Sequence, residues 1–227
     1  MMELKRIHAD KEHLQFKHPF TSLAAGPSGS GKTCLIRDIL ECHKEVINGL
    51  NKDHINVIWA YGKWQKLYQQ KLKNVNFKYL EGVPDEEDVE GYDVIIIDDL
   101  MQEINSNKYI LDLFTKGSHH NEQSVIILKQ NLYHKGPIVR DLNLNSHYLI
   151  IFKSPRDTQQ IMTLGRQVYY NDVNFFKSAY LQATELPHGY LLVDLKQDTP
   201  VDLRLKSRII PAPETNFALE PFGFIPK

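Results

Sequence analysis

The chain has no apolar run longer than five residues, as in Tyr148–Phe152, far short of the roughly 18 that a membrane helix requires. Its opening residues, Met1-Met2-Glu3-Leu4-Lys5-Arg6, do not form an apolar signal segment. Cysteine is scarce: Cys34 and Cys42 fall on one predicted helix, about 12 Å apart along its axis at roughly 1.5 Å per residue, too far to bridge. The expectation is a soluble intracellular protein in a reducing compartment, with no membrane partner. Net charge is also small, 27 Lys+Arg against 28 Asp+Glu, which excludes coating nucleic acid through bulk charge and leaves only local contacts. The ten histidines include the pair His119-His120, yet none has zinc-finger or H-E-x-x-H spacing. Repeats and low-complexity stretches are absent, so the 227 residues, 42% hydrophobic, have to bury a core of their own.

What is present is alternation. Short β-rich runs (Phe20–Ala25, Ile55–Tyr61, Val94–Ile97, Val125–Leu128 and Tyr148–Phe152) are separated by longer amphipathic stretches, which predicts an α/β domain with a buried parallel sheet. Leu35, Ile36, Ile39, Leu40, Val46, Ile47 and Leu50 form a stripe at helical spacing from Lys32 to about Leu50. Further helices are expected over Trp64–Leu72 and from Tyr109 to about Gly117, and Asp85-Glu86-Glu87-Asp88 reads as an acidic loop or helix start. Gly189–Leu195 and Val201–Lys206 read as an antiparallel hairpin, making the sheet mixed at one edge. A single domain is expected over residues 1–210, with 1–17 as an N-terminal extension and the proline-bearing 211–227 as an extended tail. Phe217, Leu219, Phe222, Phe224 and Ile225 in that tail would cap the sheet or dock on a neighbouring subunit.

The chemistry concentrates at two points. Gly26-Pro27-Ser28-Gly29-Ser30-Gly31-Lys32-Thr33 fits G-x-x-x-x-G-K-[ST] at every fixed position, after a predicted strand and before a predicted helix. A chance match is expected in roughly one chain in a hundred of this length. Glycines let the backbone wrap phosphates with inward N–H groups, and the helix start adds partial positive charge. Lys32 would reach the β- and γ-phosphates of ATP, Thr33 would ligate Mg²⁺, and Cys34 closes the nucleotide-binding stretch.

The second point is Val94-Ile95-Ile96-Ile97-Asp98-Asp99, an apolar strand that delivers two acids to the carboxyl edge of the sheet, the Walker B pattern. Asp98 would hold Mg²⁺, and Asp99 would orient or deprotonate the water that attacks the γ-phosphate. A second acid favours a hydrolase over a kinase; the competing reading is a strand followed by an Asp-rich turn. Gln130, with Asn131 second, would bond the γ-phosphate and the attacking water, or else merely cap the strand end.

From about His18 to Val168 the chain resembles the FtsK/HerA-type P-loop ATPases, and among them the genome-packaging ATPases of the poxvirus-like branch found in Polinton/Maverick elements, virophages and adintovirus-like viruses. The resemblance rests on His18-Pro19-Phe20 before the loop, Ile58-Trp59-Ala60-Tyr61-Gly62 with Trp64-Gln65, Ile97-Asp98-Asp99, and Phe114-Thr115-Lys116-Gly117-Ser118-His119-His120. Lys129-Gln130-Asn131, Phe152-Lys153-Ser154-Pro155-Arg156-Asp157 and Leu164-Gly165-Arg166-Gln167 complete it. It implies a RecA/FtsK-like three-layer P-loop sandwich with the Gln130 strand between the loop strand and the Walker B strand. It also implies a hexameric or pentameric ring that threads double-stranded DNA into a viral capsid using ATP. One departure is Asp99, where the wider superfamily commonly carries Glu.

In such a ring a neighbour's guanidinium would neutralise charge on the γ-phosphoryl oxygens. Arg156 and Arg166 are the candidates by resemblance and Arg140 by exclusion, against the reading of surface salt bridges. Lys63, Lys66, Lys71, Lys73 and Lys78, interleaved with Trp64 and Tyr68, are either a DNA-tracking surface or a solvated helix with an aromatic anchor. Three functions compete: a DNA-translocating packaging ATPase, a nucleoside or small-molecule kinase, and an inactive nucleotide-binding module for capsid assembly. The location expected for the first is the host cytoplasm or nucleus, or the virion.

Overall fold

The computed structural model describes residues 5–7, 11–117, 121–133, 136–210 and 222–225. Strands are β1 (Lys5–Ile7), β2 (Phe16–Lys17), β3 (Thr21–Ala25), β4 (Ile47–Asn48), β5 (Ile55–Tyr61), β6 (Val75–Glu81), β7 (Val94–Asp98), β8 (Ser124–Lys129), β9 (Tyr148–Phe152), β10 (Tyr190–Asp194), β11 (Leu205–Ser207) and β12 (Phe222–Ile225). Among the described residues four helices have eight or more residues: α1 (Lys32–Glu41), α2 (Pro137–Leu144), α3 (Thr158–Val168) and α4 (Val173–Ala183).

The main sheet runs β1-β12-β11-β10-β9-β3-β8-β7-β5-β6, and β2 pairs with β4 separately. From β9 to β6 all neighbours are parallel, whereas β10, β11, β12 and β1 add antiparallel. This is the expected mostly parallel α/β sandwich with its antiparallel C-terminal hairpin, and β8 lies between β3 and β7 as the resemblance implies.

Side-chain alternation builds the three layers. Leu23, Ile58, Ile95, Ile97, Val125 and Ile127 point to the face covered by α2, α3 and α4, through Val139, Leu142, Ile161, Leu164 and Phe176. Ala24, Val57, Trp59, Ile96, Ile126 and Leu128 point to the other face, covered by Ile36, Ile39 and Leu40 of α1. Central strands buried on both faces need apolar residues at every position, which is why Val94–Ile97 reads as an unbroken run. Each fully buried Ile or Leu contributes about 1.5–3 kcal/mol, so these strands fix the frame on which the loop ends are held.

Several expectations change. The stripe from Lys32 to Leu50 is not one helix: α1 stops at Glu41, a short turn His43–Val46 follows, and the chain then extends as β4. Val46, Ile47 and Leu50 are buried all the same, so apolar positions at helical spacing also served a turn and a strand. Trp64–Leu72 holds one 3-10 turn, Lys66–Gln69, because the Trp64 ring packs on Tyr61 and Tyr79 and Tyr68 is drawn inward. Tyr109 to Gly117 is a helical turn, Lys108–Asp112, continuing into a π-helical turn, Leu113–Gly117. The acidic run is a capped helix start, with Asp85 accepting from the Asp88 N–H. In the hairpin, Val201–Leu203 is a 3-10 turn and only Leu205 and Lys206 pair with β10.

Within the C-terminal stretch, β12 is inserted between β1 and β11 with Phe224 buried, so that this part of the chain covers the protein's own sheet. Phe217 and Leu219, like His119 and His120, lie outside the described residues.

Candidate functional site

The loop between β3 and α1 is tight for steric reasons. A Cβ on Gly26 would lie 2.6 Å from Phe152 Cβ and 2.9 Å from Ser30 Oγ, and Gly31 sits at φ 101°, where L side chains are strained. The Ser30 N–H donates to the Pro27 carbonyl at 3.2 Å, and the Leu35 N–H closes the first α1 bond on the Gly31 carbonyl at 2.9 Å. No side chain caps α1 and no acid lies in its first turn, so the positive helix end is left for an external anion. Lys32 arches back over the loop, its Nζ donating to the Gly26 and Pro27 carbonyls at 2.6 and 3.0 Å. Burial lowers the Lys32 pKa, against the pull of Asp98 and Asp99.

Opposite the loop, β7 ends in Asp98, which is 4% exposed. One of its oxygens accepts from the Tyr68 hydroxyl at 2.8 Å and lies 3.5 Å from the Thr33 hydroxyl. Burial raises its pKa, while the Tyr68 hydrogen bond and Lys32 hold it down. Burial and the neighbouring carboxylate push the Tyr68 hydroxyl upward in turn, so it stays a proton donor. Asp99 leaves the strand at φ 59°, a turn that brings its carboxylate to Gln130, whose Nε2 donates to it at 2.9 Å.

A cavity of about 620 Å³ is lined by Ser28, Gly29, Gly31, Lys32, Thr33 and Cys34 on one side and by Asp98, Asp99 and Gln130 on the other. Its size is that of a small-molecule site. The Thr33 hydroxyl and Asp98 carboxylate are hard oxygen donors converging beside the loop, a donor set that fits Mg²⁺. Among the described residues no group of three His, Cys, Asp or Glu side chains could hold a metal by itself.

Arg156 and Arg166 are not brought in. Arg156 is exposed in the turn after β9, at the same sheet edge as the loop, and Arg166 is exposed in the last turn of α3; neither lines the cavity. Arg140, on α2, borders a separate groove with Leu144 and Leu164. Tyr68 is no surface stacking residue: it is buried on Asp98, while Trp64 is 45% exposed and Lys78 pairs with Asp88 at 2.9 Å. Sequence reasoning missed Tyr68 as a partner of Asp98, and missed His188, Arg208 and Asp38, which also line the cavity. Only Pro187-His188-Gly189, a histidine framed by turn residues, carried any signal.

No family model matches the chain, and no curated protein matches it. Among solved structures, the chain is similar to the genome packaging NTPase B204 of Sulfolobus turreted icosahedral virus 2 in complex with sulfate. The TM-score is 0.50 at 15% identity, covering 78% of this chain and 92% of that one. The likeness is one of fold. B204 of Sulfolobus turreted icosahedral virus, a DNA-packaging ATPase, gives a TM-score of 0.49 at 17% identity, covering 78% and 94%. The flagellar accessory protein FlaH of Methanocaldococcus jannaschii gives 0.45 at 15%, covering 66% and 80%. At 15% identity the first of these likenesses concerns the fold alone. No helix among the described residues is long and apolar enough to cross a membrane.

Proposed function

We propose that this chain is a Mg²⁺-dependent ATPase that drives double-stranded DNA into a viral capsid, working at the subunit interfaces of a hexameric or pentameric ring. The observation that carries the reading is the convergence, in one cavity, of the phosphate loop, Asp98 and the Asp99–Gln130 pair. The likeness in fold to B204, a genome packaging NTPase, supports the choice among P-loop functions. The motifs from His18 to Gln167 support placement in the poxvirus-like branch. One ATPase domain over residues 1–210 would act in the host cytoplasm or nucleus, or in the virion, with DNA and capsid proteins as partners.

In this reading the loop N–H groups and Lys32 hold the β- and γ-phosphates, Lys32 exchanging its two carbonyl partners for phosphate oxygens. Asp99, steered by Gln130, orients a water in line with the γ-phosphorus and takes its proton as ADP leaves. Thr33 and Asp98 would hold Mg²⁺, whose chemistry is to neutralise charge on the phosphate oxygens. Arg156 or Arg166 of a neighbouring subunit, or Arg140, would complete that neutralisation, which makes turnover depend on assembly.

The test is phosphate release from ATP with and without duplex DNA, beside mass measurement of the particles. Turnover stimulated by duplex DNA and confined to assembled particles is expected, and turnover indifferent to both removes the motor reading. Phosphoryl transfer to a nucleoside would mark a kinase instead, and tight ATP binding without turnover an assembly module.

A further inference from the structure

The cavity does not end with the loop. Past Cys34 it continues along α1 to Asp38, and its far wall is built by two C-terminal turns, His188 before β10 and Arg208 after β11. Both residues are strained. Of the four non-glycine residues with left-handed backbone among those described, Asp99 (φ 59°), Glu122 (52°), His188 (60°) and Arg208 (55°), all but Glu122 line this one cavity. Such backbone is unfavourable for a residue bearing a Cβ and persists where the surroundings impose it, clustering at active sites, ligand clamps and switch regions. Asp99 accounts for the strain at the hydrolytic end, and His188 and Arg208 mark the other end.

The arrangement there differs chemically from the phosphate end. His188 lies on the loop itself: a Cβ on Gly31 would sit 3.2 Å from its Cβ and Nδ1, and Nδ1 is 3.2 Å from the Ser30 carbonyl. With Nδ1–H assigned as donor to that carbonyl, Nε2 faces outward as an acceptor. Asp38, Tyr190 and Arg208 line the same cavity. Leu35, Tyr190 and Ile210 supply apolar wall. A triphosphate whose γ end reached Asp98 and Asp99 would extend along this cavity past Cys34, which would bring its nucleoside to this end.

We propose that His188, Arg208 and Asp38 form the nucleoside half of the site, taking a nucleobase that bears an exocyclic amino group. His188 and Arg208 hold the ribose and base, and Asp38 accepts from the amino group. The inference rests on the nucleotide reading above and adds to it which residues distinguish a nucleotide from its bare phosphates.

The test is calorimetric titration of the full chain with ATP, UTP and inorganic tripolyphosphate, without magnesium so that nothing turns over. Wild type is expected to bind ATP more tightly than tripolyphosphate. His188→Gly and Arg208→Gly, which glycine's freedom at positive φ makes compatible with the fold, are expected to weaken ATP about tenfold and leave tripolyphosphate unchanged. Asp38→Ala, at an exposed helix position, is expected to erase the preference for ATP over UTP. ATP affinity unchanged in both glycine variants, or falling in step with tripolyphosphate, overturns the inference while the phosphate loop stands. A wild type that binds neither ATP nor tripolyphosphate overturns the nucleotide reading and this inference with it.

Discussion

Two carboxylates are buried at opposite edges of the same sheet, and they are treated in opposite ways. Asp194, at the end of β10 and 2% exposed, meets Lys206 Nζ at 2.7 Å and the Lys196 N–H at 3.1 Å, and Lys206 is itself sealed from solvent. Asp98, at the end of β7, receives one tyrosine hydroxyl and a distant threonine hydroxyl, while Lys32 is engaged with loop carbonyls. The first acid carries its own counter-charge and holds the antiparallel flank together. The second is left with capacity for a cation from outside. A buried charge with a dedicated partner is architecture, and a buried carboxylate without one, at the edge of a cavity, is a candidate cation site.

The same chemical change at both positions should therefore have different consequences. Asp98→Asn is expected to lower ATP turnover on the order of 10²–10³-fold, read by phosphate release. Because burial raises its pKa, the folded chain holds more protons than the unfolded chain above the ordinary Asp range, so the charged form costs stability at neutral pH. The melting temperature of Asp98→Asn should accordingly stay level or rise. Asp194→Asn should cost about 3–5 kcal/mol in urea unfolding, because Lys206 is stranded, and leave nucleotide affinity intact. Exchanged outcomes would break the distinction.

How much of this could be read in the sequence follows from the range of the forces involved. The loop, Asp98, Asp99 and Gln130 were legible because each is tied to a strand end, and strands buried on both faces announce themselves as unbroken apolar runs. Strand β6 was not: at the sheet edge its pattern mixes Val75 and Phe77 with Asn76, Lys78 and Glu81, and the apolar signal is diluted. Helices α2 and α3 were hidden for a similar reason, each presenting one narrow apolar stripe between polar residues. Tyr68, His188 and Arg208 come to the site only through long-range packing, which no local spacing encodes.

A third buried charge sharpens the contrast. Lys129, at the end of β8 beside Gln130, is 1% exposed and donates to the Leu132 carbonyl and Asn143 Oδ1, each at 2.7 Å. Both partners are neutral, and burial pulls its pKa from 10.5 to about 7. Between those values the unfolded chain binds more protons than the folded one, so stability should rise with pH across that window. Melting temperatures at about pH 6 and about pH 9 should differ by several degrees from this group, and Lys129→Met should flatten the slope. A slope that survives the substitution would mean that Lys129 keeps its charge in the folded chain across this range and that other groups set the slope.

The smallest expected effect asks what Tyr68 does for Asp98. Its ring packs against Trp59, Trp64 and Tyr79 with centroids 5.2–5.4 Å apart, and Phe would keep those contacts while losing the hydroxyl. If the hydroxyl only satisfies a buried acceptor, Tyr68→Phe should lower the melting temperature and leave the magnesium requirement alone. If it holds Asp98 in the orientation that Thr33 shares, the magnesium concentration for half-maximal turnover should rise about fivefold, near 1 kcal/mol, with little change in unfolding. The second outcome is the expected one, because burial already raises the Asp98 pKa and the hydrogen bond from Tyr68 is the largest influence opposing it. Trp64, 45% exposed and next to Tyr68, gives a reading independent of turnover. Its fluorescence should respond to magnesium with nucleotide in the wild type, and that response should shift to higher magnesium in Tyr68→Phe.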